Sequence, residues 1–423
     1  MIKVLFFVYS AQKSLTLFSD KFRTGFPWVD AMIDEFLKHS EISLGLAVPI
    51  SDQKFTSLTN DQLTLYGLPD IDLNRSQRRW LSRGQPKSKN NVLLDHALTA
   101  VGDFHPDIIQ IFGTENKFGK LCFKVEIPIV IHFQGSVGAV AGKWFSGISK
   151  WEQLRSLTLK NALFQHGVYN EFFNFSRKTH MEEIVMQKCK YYIGRTEFDR
   201  RLISLLSPNS RYFSCDEFIR DSFFTTQWNL PLNKSIRCSS ILKGVTYKGI
   251  DLLYSCLNLI DKYIGIDFEF RICGVNENDE IVKILKKKYR RYANRAKIRF
   301  LGKLSSEEII YELTNSNFYV HPSYMENSSN SICEAMALGL PVIATNVGGT
   351  CSLINNGVDG LLIQEGEPYS LVACILELIR DYHFAKMLGN NARIRSLSRH
   401  NPDVLAETII TIYNTIRNES RIH

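Results

Sequence analysis

The sequence predicts an α/β protein built on two mostly parallel sheets, and three observations predict it. Short apolar runs alternate with longer amphipathic stretches along the chain, as repeated βαβ units do. A stretch without period, 207–233, rich in Pro, Asn, Ser and aromatics and holding Pro208 and Pro231, separates two such series. The 423 residues are 44% hydrophobic and 22% charged, which suits two or three packed domains and neither a disordered nor a membrane-embedded chain.

In the first series the strands are expected at Lys3–Tyr9, Ser43–Val48, Ile108–Phe112, Ile129–His132 and Tyr191–Gly194, with helices at Trp28–Leu37 and Met181–Lys188. In the second they are expected at Ile236–Ser240, Phe268–Cys273, Ile298–Leu301, Phe318–His321, Val342–Ala344 and Gly360–Ile363. Helices are expected between these at Ile250–Leu259, Glu280–Arg291, Ser305–Asn315, Ser331–Leu338 and Tyr369–Leu378, and a last helix at Pro402–Arg417. The domains are therefore 1–213 and 234–395, with a linker at 214–233 and a C-terminal helical segment at 396–423. Doubly wound sheets bind ligands at the carboxyl ends of their strands, so the cleft between the two domains is the expected site.

Other features narrow the class. No apolar run reaches the ~20 residues of a spanning helix. The apolar start Met1–Tyr9 is short and lacks a small-residue cleavage site, which reads as a first strand rather than a signal peptide. Nine cysteines, from Cys122 to Cys374, form no C-x-x-C pair, the pattern of reduced thiols in a cytoplasmic protein. The net charge of +8 admits nucleic acid, an anionic membrane surface or a phosphate-bearing substrate as partner.

The most informative segment runs from Tyr319 to Gly349. A strand ends at His321, a polar loop follows, and a helix begins near Ser329–Ser331 and stops at Gly339 with Pro341 beyond. Free amides and the helix dipole at such a start favour an anion such as a diphosphate. Glu326 precedes the helix and Glu334 lies one turn inside it. An ionised carboxylate only accepts hydrogen bonds, so each can take a vicinal diol, of which a ribose and a hexose both have examples. A second segment, Lys243 to Asp251, follows a strand and opens a helix, and its Lys243 and Lys248 can reach one diphosphate.

Taken together, Pro322-Ser323, Glu326, Asn330-Ser331, Glu334 to Gly339, Pro341-Val342 and Gly348-Gly349 resemble the E-x7-E motif of the large retaining glycosyltransferase family 4, which has the GT-B fold. The resemblance runs nearly continuously from about residue 236 to 363. It implies two Rossmann-like domains facing across a cleft, with the C-terminal helix crossing back toward the first. It also implies that Glu334 holds the ribose hydroxyls and that Glu326 contacts the donor sugar. The amides of Ser329, Asn330, Ser331 and Ile332 would contact sugar or phosphate, and Gly302 would lie near the base. Lys243 and Lys248 would grip the departing phosphates and, with Glu326, carry catalysis. The family usually has Arg where Lys243 stands, and Lys replaces a planar fork by a point charge.

In the first half, the strand around Ile129–His132 resembles the family strand that ends in a His near the sugar. Here Gln134 takes that position, and His132, two residues earlier and on the same strand face, is expected to be structural. Gly25 stands where the family has a Gly-Gly pair closing over the diphosphate. The stretch Gly194–Asp199, with Arg195, resembles a loop lining the cleft, although helix capping by Thr196 explains it equally well. The basic run Lys283–Arg299 is expected to be a solvated helix face. Arg79 and Trp80, in the stretch 75–87 of the acceptor domain, are expected to meet an anionic acceptor or lipid interface.

Asp70-Ile71-Asp72 has the letters of a metal-binding Asp-x-Asp but is expected to be a turn away from any strong strand, so no metal and no cofactor are expected. The resemblance thus implies a nucleotide-sugar donor, UDP-linked by preference, and a saccharide or lipid-linked acceptor of surface-glycan assembly. It places the protein in the cytoplasm, peripheral on the inner membrane face. Two other readings are a nucleotide-sugar-binding protein without transfer activity and a nucleic-acid-binding protein. No recognised nucleic-acid motif supports the last.

Overall fold

The structure is a computed structural model that describes residues 1–9, 26–50, 54–60, 63–70, 92–156, 167–231, 235–290 and 297–422. The first sheet contains β1 (Ile2–Phe7), β2 (Ile42–Ile50), β3 (Thr56–Asn60), β4 (Leu63–Pro69), β5 (Ile108–Phe112), β6 (Ile129–His132), β7 (Tyr191–Gly194) and β8 (Arg211–Ser214). Their order is β3-β4-β2-β1-β5-β6-β7-β8, parallel throughout except for the β3–β4 hairpin. The second contains β9 (Ile236–Ile241), β10 (Phe268–Cys273), β11 (Lys297–Gly302), β12 (Phe318–His321), β13 (Val342–Thr345) and β14 (Leu361–Ile363). Its order is β11-β10-β9-β12-β13-β14, all parallel, the doubly wound arrangement of a dinucleotide-binding domain.

Central strands such as β1, β5 and β13 are buried on both faces, which is why they read as unbroken apolar runs. The edges differ from expectation. The β3–β4 hairpin was not foreseen, because its sequence is threonine-rich and carries Gly67 and Pro69. Since β4 ends at Pro69 in register with Ile50, Asp70 follows a buried strand rather than a free turn. Asp70 accepts hydrogen bonds from Tyr9 Oη and Lys117 Nζ, each at 3.0 Å, and positions 71 and 72 lie outside the described residues. Strand β8 falls in the stretch read as aperiodic, because an edge strand with partly exposed side chains carries no apolar run. The helix expected at Met181–Lys188 extends from Val168, its first half interrupted by aromatics on the polar face.

Two features knit the domains together. The segment boundary at 396 falls inside a helix, Tyr382–Arg399, and α3 (Pro402–Ile422), the last helix expected at Pro402–Arg417, starts after a break at His400–Asn401. Leu405, Ala406, Ile409, Ile410, Tyr413 and Ile416 of α3 form one helical stripe. They pack into the first domain's core beside α1 (Pro27–Phe36). Tyr413 Oη donates to Gln110 Oε1 at 2.6 Å, so a residue near the C-terminus closes a polar contact on β5. Conversely, Ile148, from the first half of the chain, is fully buried in the second domain's core. All nine cysteines are free thiols, and among the described residues no helix is long and apolar enough to cross a membrane.

Truncating a buried isoleucine leaves a cavity that the surroundings refill only in part. Ile409→Ala is expected to destabilise the first domain by about 2–5 kcal/mol. Urea unfolding of wild type and variant checks this, and an unchanged midpoint would mean that α3 contributes little to that core.

Candidate donor site at the strand-order reversal

The order of the second sheet reverses between β9 and β12, which pair directly through Cys238↔Phe318 and Ser239↔Tyr319. A crevice outside the strand ends is the geometric result. The two loops that rim it carry the two sequence motifs. They touch because Gly249 adopts φ +72° and has no Cβ, which would otherwise sit 1.8 Å from the Pro322 carbonyl oxygen. Gly348, at φ +52°, likewise lets the loop after β13 lie against the Glu326 carbonyl, where a Cβ would come within 1.9 Å.

In the crevice, Lys248 Nζ meets Glu326 Oε2 at 2.5 Å, with both side chains largely buried. His321 Nε2 lies 2.8 Å from the same oxygen and Ser323 Oγ 3.2 Å from it. A carboxylate only accepts, so His321 presents Nε2–H to Glu326 and turns Nδ1 to the Tyr319 hydroxyl, 3.1 Å away. Burial works against the Glu326 ion, but Lys248 and His321 outweigh it and hold its carboxyl far below the usual range. Burial likewise works against the Lys248 ammonium, and Glu326 outweighs it, so its pKa is raised. Burial and the nearby Lys248 hold the His321 imidazole below the ordinary histidine value despite Glu326.

Lys243 faces the crevice differently. Its residue is exposed, and among the described residues it has no ion-pair partner. Crowding of its ammonium, with Lys248 adding repulsion, pulls its pKa below the lysine value. It is therefore the cation left open for an incoming anion, whereas Lys248 is already neutralised.

Beyond Glu326 the chain enters α2 (Asn330–Leu338). Ser329 stands at its N-cap but makes no side-chain cap, its hydroxyl lying 3.0 Å from that of Ser331. The Ile332 amide donates to the Ser329 carbonyl at 3.0 Å, and its side chain is fully buried, so Ile332 offers a ligand nothing. The amides of Asn330 and Ser331 have no partner among the described residues and remain open, as does the buried Oδ1 of Asn330. The helix start thus keeps an uncapped, electropositive end beside the crevice.

Glu334 sits inside α2, 7% exposed. Its Oε1 accepts from Arg220 Nη2 at 2.6 Å and Nε at 3.2 Å. Burial pushes its carboxyl pKa up and Arg220 restrains that rise. The sequence reading missed Arg220, which lies 114 residues away in a segment without periodicity, and gave His321 no role beyond ending a strand. A histidine at the carboxyl end of a strand beside the order reversal is the signal that was available for the latter.

Other expected residues fall elsewhere. Gly302, at φ +70°, ends β11 on the sheet's edge, with its amide bonded to Val275 and its carbonyl to Gly274. His132 is fully buried between Trp28 and Phe112, with ring centroids at 5.0 and 5.7 Å, and its Nδ1 lies 3.4 Å from Gln110 Nε2. Gln134 is half-buried next to Gly135, and a Cβ on Gly135 would come 3.2 Å from Asn327 of the Glu326 loop, so this stretch reaches the cleft. Arg195 is buried with its guanidinium over the Trp28 ring at 5.2 Å, and Thr196 both caps its helix and donates to Asn327 Oδ1 at 3.1 Å across the cleft. Lys283, Lys286 and Lys287 line the exposed face of their helix, whereas Lys288 turns to the first domain, donating to the Gly147 carbonyl and pairing with Glu152. Gly25, Arg79 and Trp80 lie outside the described residues. Glu217, Cys333 and His400 bring potential metal-ligating atoms within 4.8 Å of one another. These atoms mainly serve one another: Cys333 Sγ and Ser328 Oγ donate to Glu217 Oε1, and His400 Nδ1 donates to the Glu217 carbonyl.

Two outcomes follow from these environments. Removing one partner of a buried ion pair strands the other, at a cost of about 3–5 kcal/mol. Lys248→Met is therefore expected to destabilise the second domain by about that amount, and adding Glu326→Gln to recover much of the loss, in a double-mutant cycle of urea midpoints. Burial pushes the His132 pKa down to about 3. The unfolded chain takes up this proton below about pH 6.5 and the folded one does not, so stability falls as pH drops from about 6.5 toward 3. A His132→Gln variant is expected to lose that part of the slope, up to about 1.4 kcal/mol per pH unit. Parallel slopes for variant and wild type would contradict it.

The comparisons with known proteins agree with this geometry. The family model for glycosyl transferases group 1 matches residues 234–395. An uncharacterised glycosyltransferase of Methanocaldococcus jannaschii is 34% identical over 152 residues, 35% of this chain and 40% of that protein. The capsular polysaccharide biosynthesis glycosyltransferase CapM of Staphylococcus aureus is 33% identical over 106 residues, 25% of this chain and 28% of that protein. These matches span less than half the length of either relative. The crystal structure of Anabaena HepE in complex with UDP-glucose superposes with a TM-score of 0.63 at 15% identity, over 98% of this chain and all of that one. The chain thus has the two-domain GT-B fold, and its second domain matches the glycosyl transferases group 1 family model.

Proposed function

We propose that the protein is a retaining, metal-independent glycosyltransferase that moves a sugar from a nucleotide-diphosphate sugar, UDP-linked by preference, to a saccharide or lipid-linked acceptor in surface polysaccharide assembly. The observation that carries this reading is the crevice at the β9–β12 reversal. Lys243, Lys248, the acceptor Glu326 and the uncapped start of α2 come together there, with the acceptor Glu334 one turn inside α2. Cations and free amides suit a diphosphate, and the two carboxylates suit the diols on either side of it.

On this reading the departing diphosphate is stabilised by Lys243, Lys248 and the Asn330 and Ser331 amides, which are in place before charge develops. These fixed charges do the electrostatic work that a metal ion does in other transferases. The acceptor hydroxyl attacks from the face the leaving group vacates, with no protein nucleophile. Gln134, on the first-domain side, is placed to meet a sugar hydroxyl. The name of CapM supports a capsular or other surface polysaccharide as product, and the UDP-glucose complex of HepE supports the uridine donor. The reading places the protein in the cytoplasm, against the inner face of the membrane, where a lipid-linked acceptor is presented.

Calorimetry with UDP, GDP, ADP and CDP, with and without a chelator, tests the reading. Chelator-insensitive binding of one nucleotide is expected. Glu334→Ala is expected to weaken that binding about tenfold or more, the worth of hydrogen bonds to a charged acceptor. Unchanged affinity would remove Glu334 from the site, and no binding of any nucleotide would end the nucleotide-sugar reading.

A further inference from the structure

Arg220 lies in the segment that joins the two sheets, between β8 and β9, and its guanidinium reaches two residues of the second domain while stacking on Phe223 of its own segment. Nε and Nη2 both donate to Glu334 Oε1, Nη1 donates to Ser306 Oγ, and the plane stacks over the Phe223 ring at 4.6 Å. Glu334 Oε2 has no hydrogen bond among the described residues. One carboxylate oxygen is therefore tied off by a rigid, planar fork, and the other is held open in a fixed direction. A simple tether between linker and domain has no need of that asymmetry. A carboxylate that must receive a diol does, because its orientation has to be set before the ligand arrives.

We propose that Arg220 is the positioning residue for Glu334, so that preference for a ribose over a 2′-deoxyribose nucleotide is set from the interdomain linker. The inference rests on the nucleotide-sugar reading and adds to it a residue from outside the family's motif segment. Arg220 touches no ligand. It fixes Glu334 in one rotamer, so that the open Oε2, with two lone pairs to offer, takes the ribose hydroxyls. Because the residue belongs to the linker, a shift of the linker relative to α2 would loosen the grip on the ribose.

The test is calorimetry of UDP and GDP, each against its 2′-deoxy analogue, on wild type, Arg220→Gln, Arg220→Lys and Glu334→Gln. Wild type is expected to prefer the ribonucleotide by about tenfold or more. Arg220→Gln is expected to bring that ratio toward one, with the 2′-deoxynucleotide, which keeps only its 3′-hydroxyl contact, losing less affinity than the ribonucleotide. Arg220→Lys, which keeps the charge without the fork, is expected to restore only part of it. An equal loss for both nucleotides, or an intact ratio in Arg220→Gln, would overturn the proposal and leave Arg220 a structural tether. If Arg220→Gln does not fold, as judged by circular dichroism, Arg220→Lys carries the same comparison. Glu334→Gln separates the two levels of failure. A ratio unmoved there, or wild type that binds neither nucleotide, overturns the assignment of Glu334 or the nucleotide-sugar reading itself.

Discussion

The ion pair between Lys248 and Glu326 is the contact on which the site depends, because it joins two loops that belong to opposite halves of the second sheet. One loop leaves β9 and the other leaves β12, and the order reversal between those strands is what brings them side by side. Withdrawing both charges from water costs several kcal/mol per ion, and the surroundings are arranged to offset it. His321 and Ser323 meet the same Glu326 oxygen as Lys248, and Tyr319 lies against the other nitrogen of the histidine. Glycines at 249 and 348 let three backbones approach within reach. Each of these residues answers the same requirement, that a buried charge keep a full set of partners. On the proposed function, an incoming diphosphate would offer Lys248 a second anion without leaving Glu326 unsatisfied, since His321 and Ser323 stay in contact with it.

What the sequence disclosed and what it concealed divide along physical lines. Strands β1, β5 and β13 were legible because a parallel strand covered on both faces is mostly apolar. The helix α2 was legible from its polar entry loop and its Gly339-x-Pro341 exit. The edge strands β3 and β8 were not, because edge strands are half solvated and their side chains follow no single period, and β4 was hidden by Gly67 and Pro69 within its run. At the site, Glu326, Glu334, Lys243 and Lys248 lie within compact motifs, and their spacing carried the information. Arg220 does not. Its partner is 114 residues away, and its own neighbours are aromatic and polar residues of a connecting segment. A contact made by folding two domains together leaves no trace in local spacing. At the start of α2, the Ser329 hydroxyl lies beside that of Ser331 and leaves the helix end open, a choice of partner that local spacing does not reveal.

The domains are also less separable than a linker at 214–233 suggests. Ile148 of the first half is seated in the second core, and Lys288 of the second pairs with Glu152 of the first at 3.1 Å. At the junction, Arg399 binds the Arg195 carbonyl and pairs with Asp216, while Glu217 gathers Ser328, Cys333 and His400. These contacts constrain the hinge rather than forbid its motion, since most join side chains across a few loop residues.

The return of α3 to the first domain has a consequence for how the chain is made. Synthesis proceeds from the N-terminus, and domains generally fold as they emerge. Here the first sheet is complete at Ser214, but the helix that covers α1 and bonds to Gln110 comes last. At typical elongation rates the second domain takes on the order of ten seconds or more to appear. Through that interval Phe36, Ile33 and their neighbours await the stripe of α3 that will bury them. The earliest-made surface of the first domain therefore stays sticky until α3 has emerged from the ribosome.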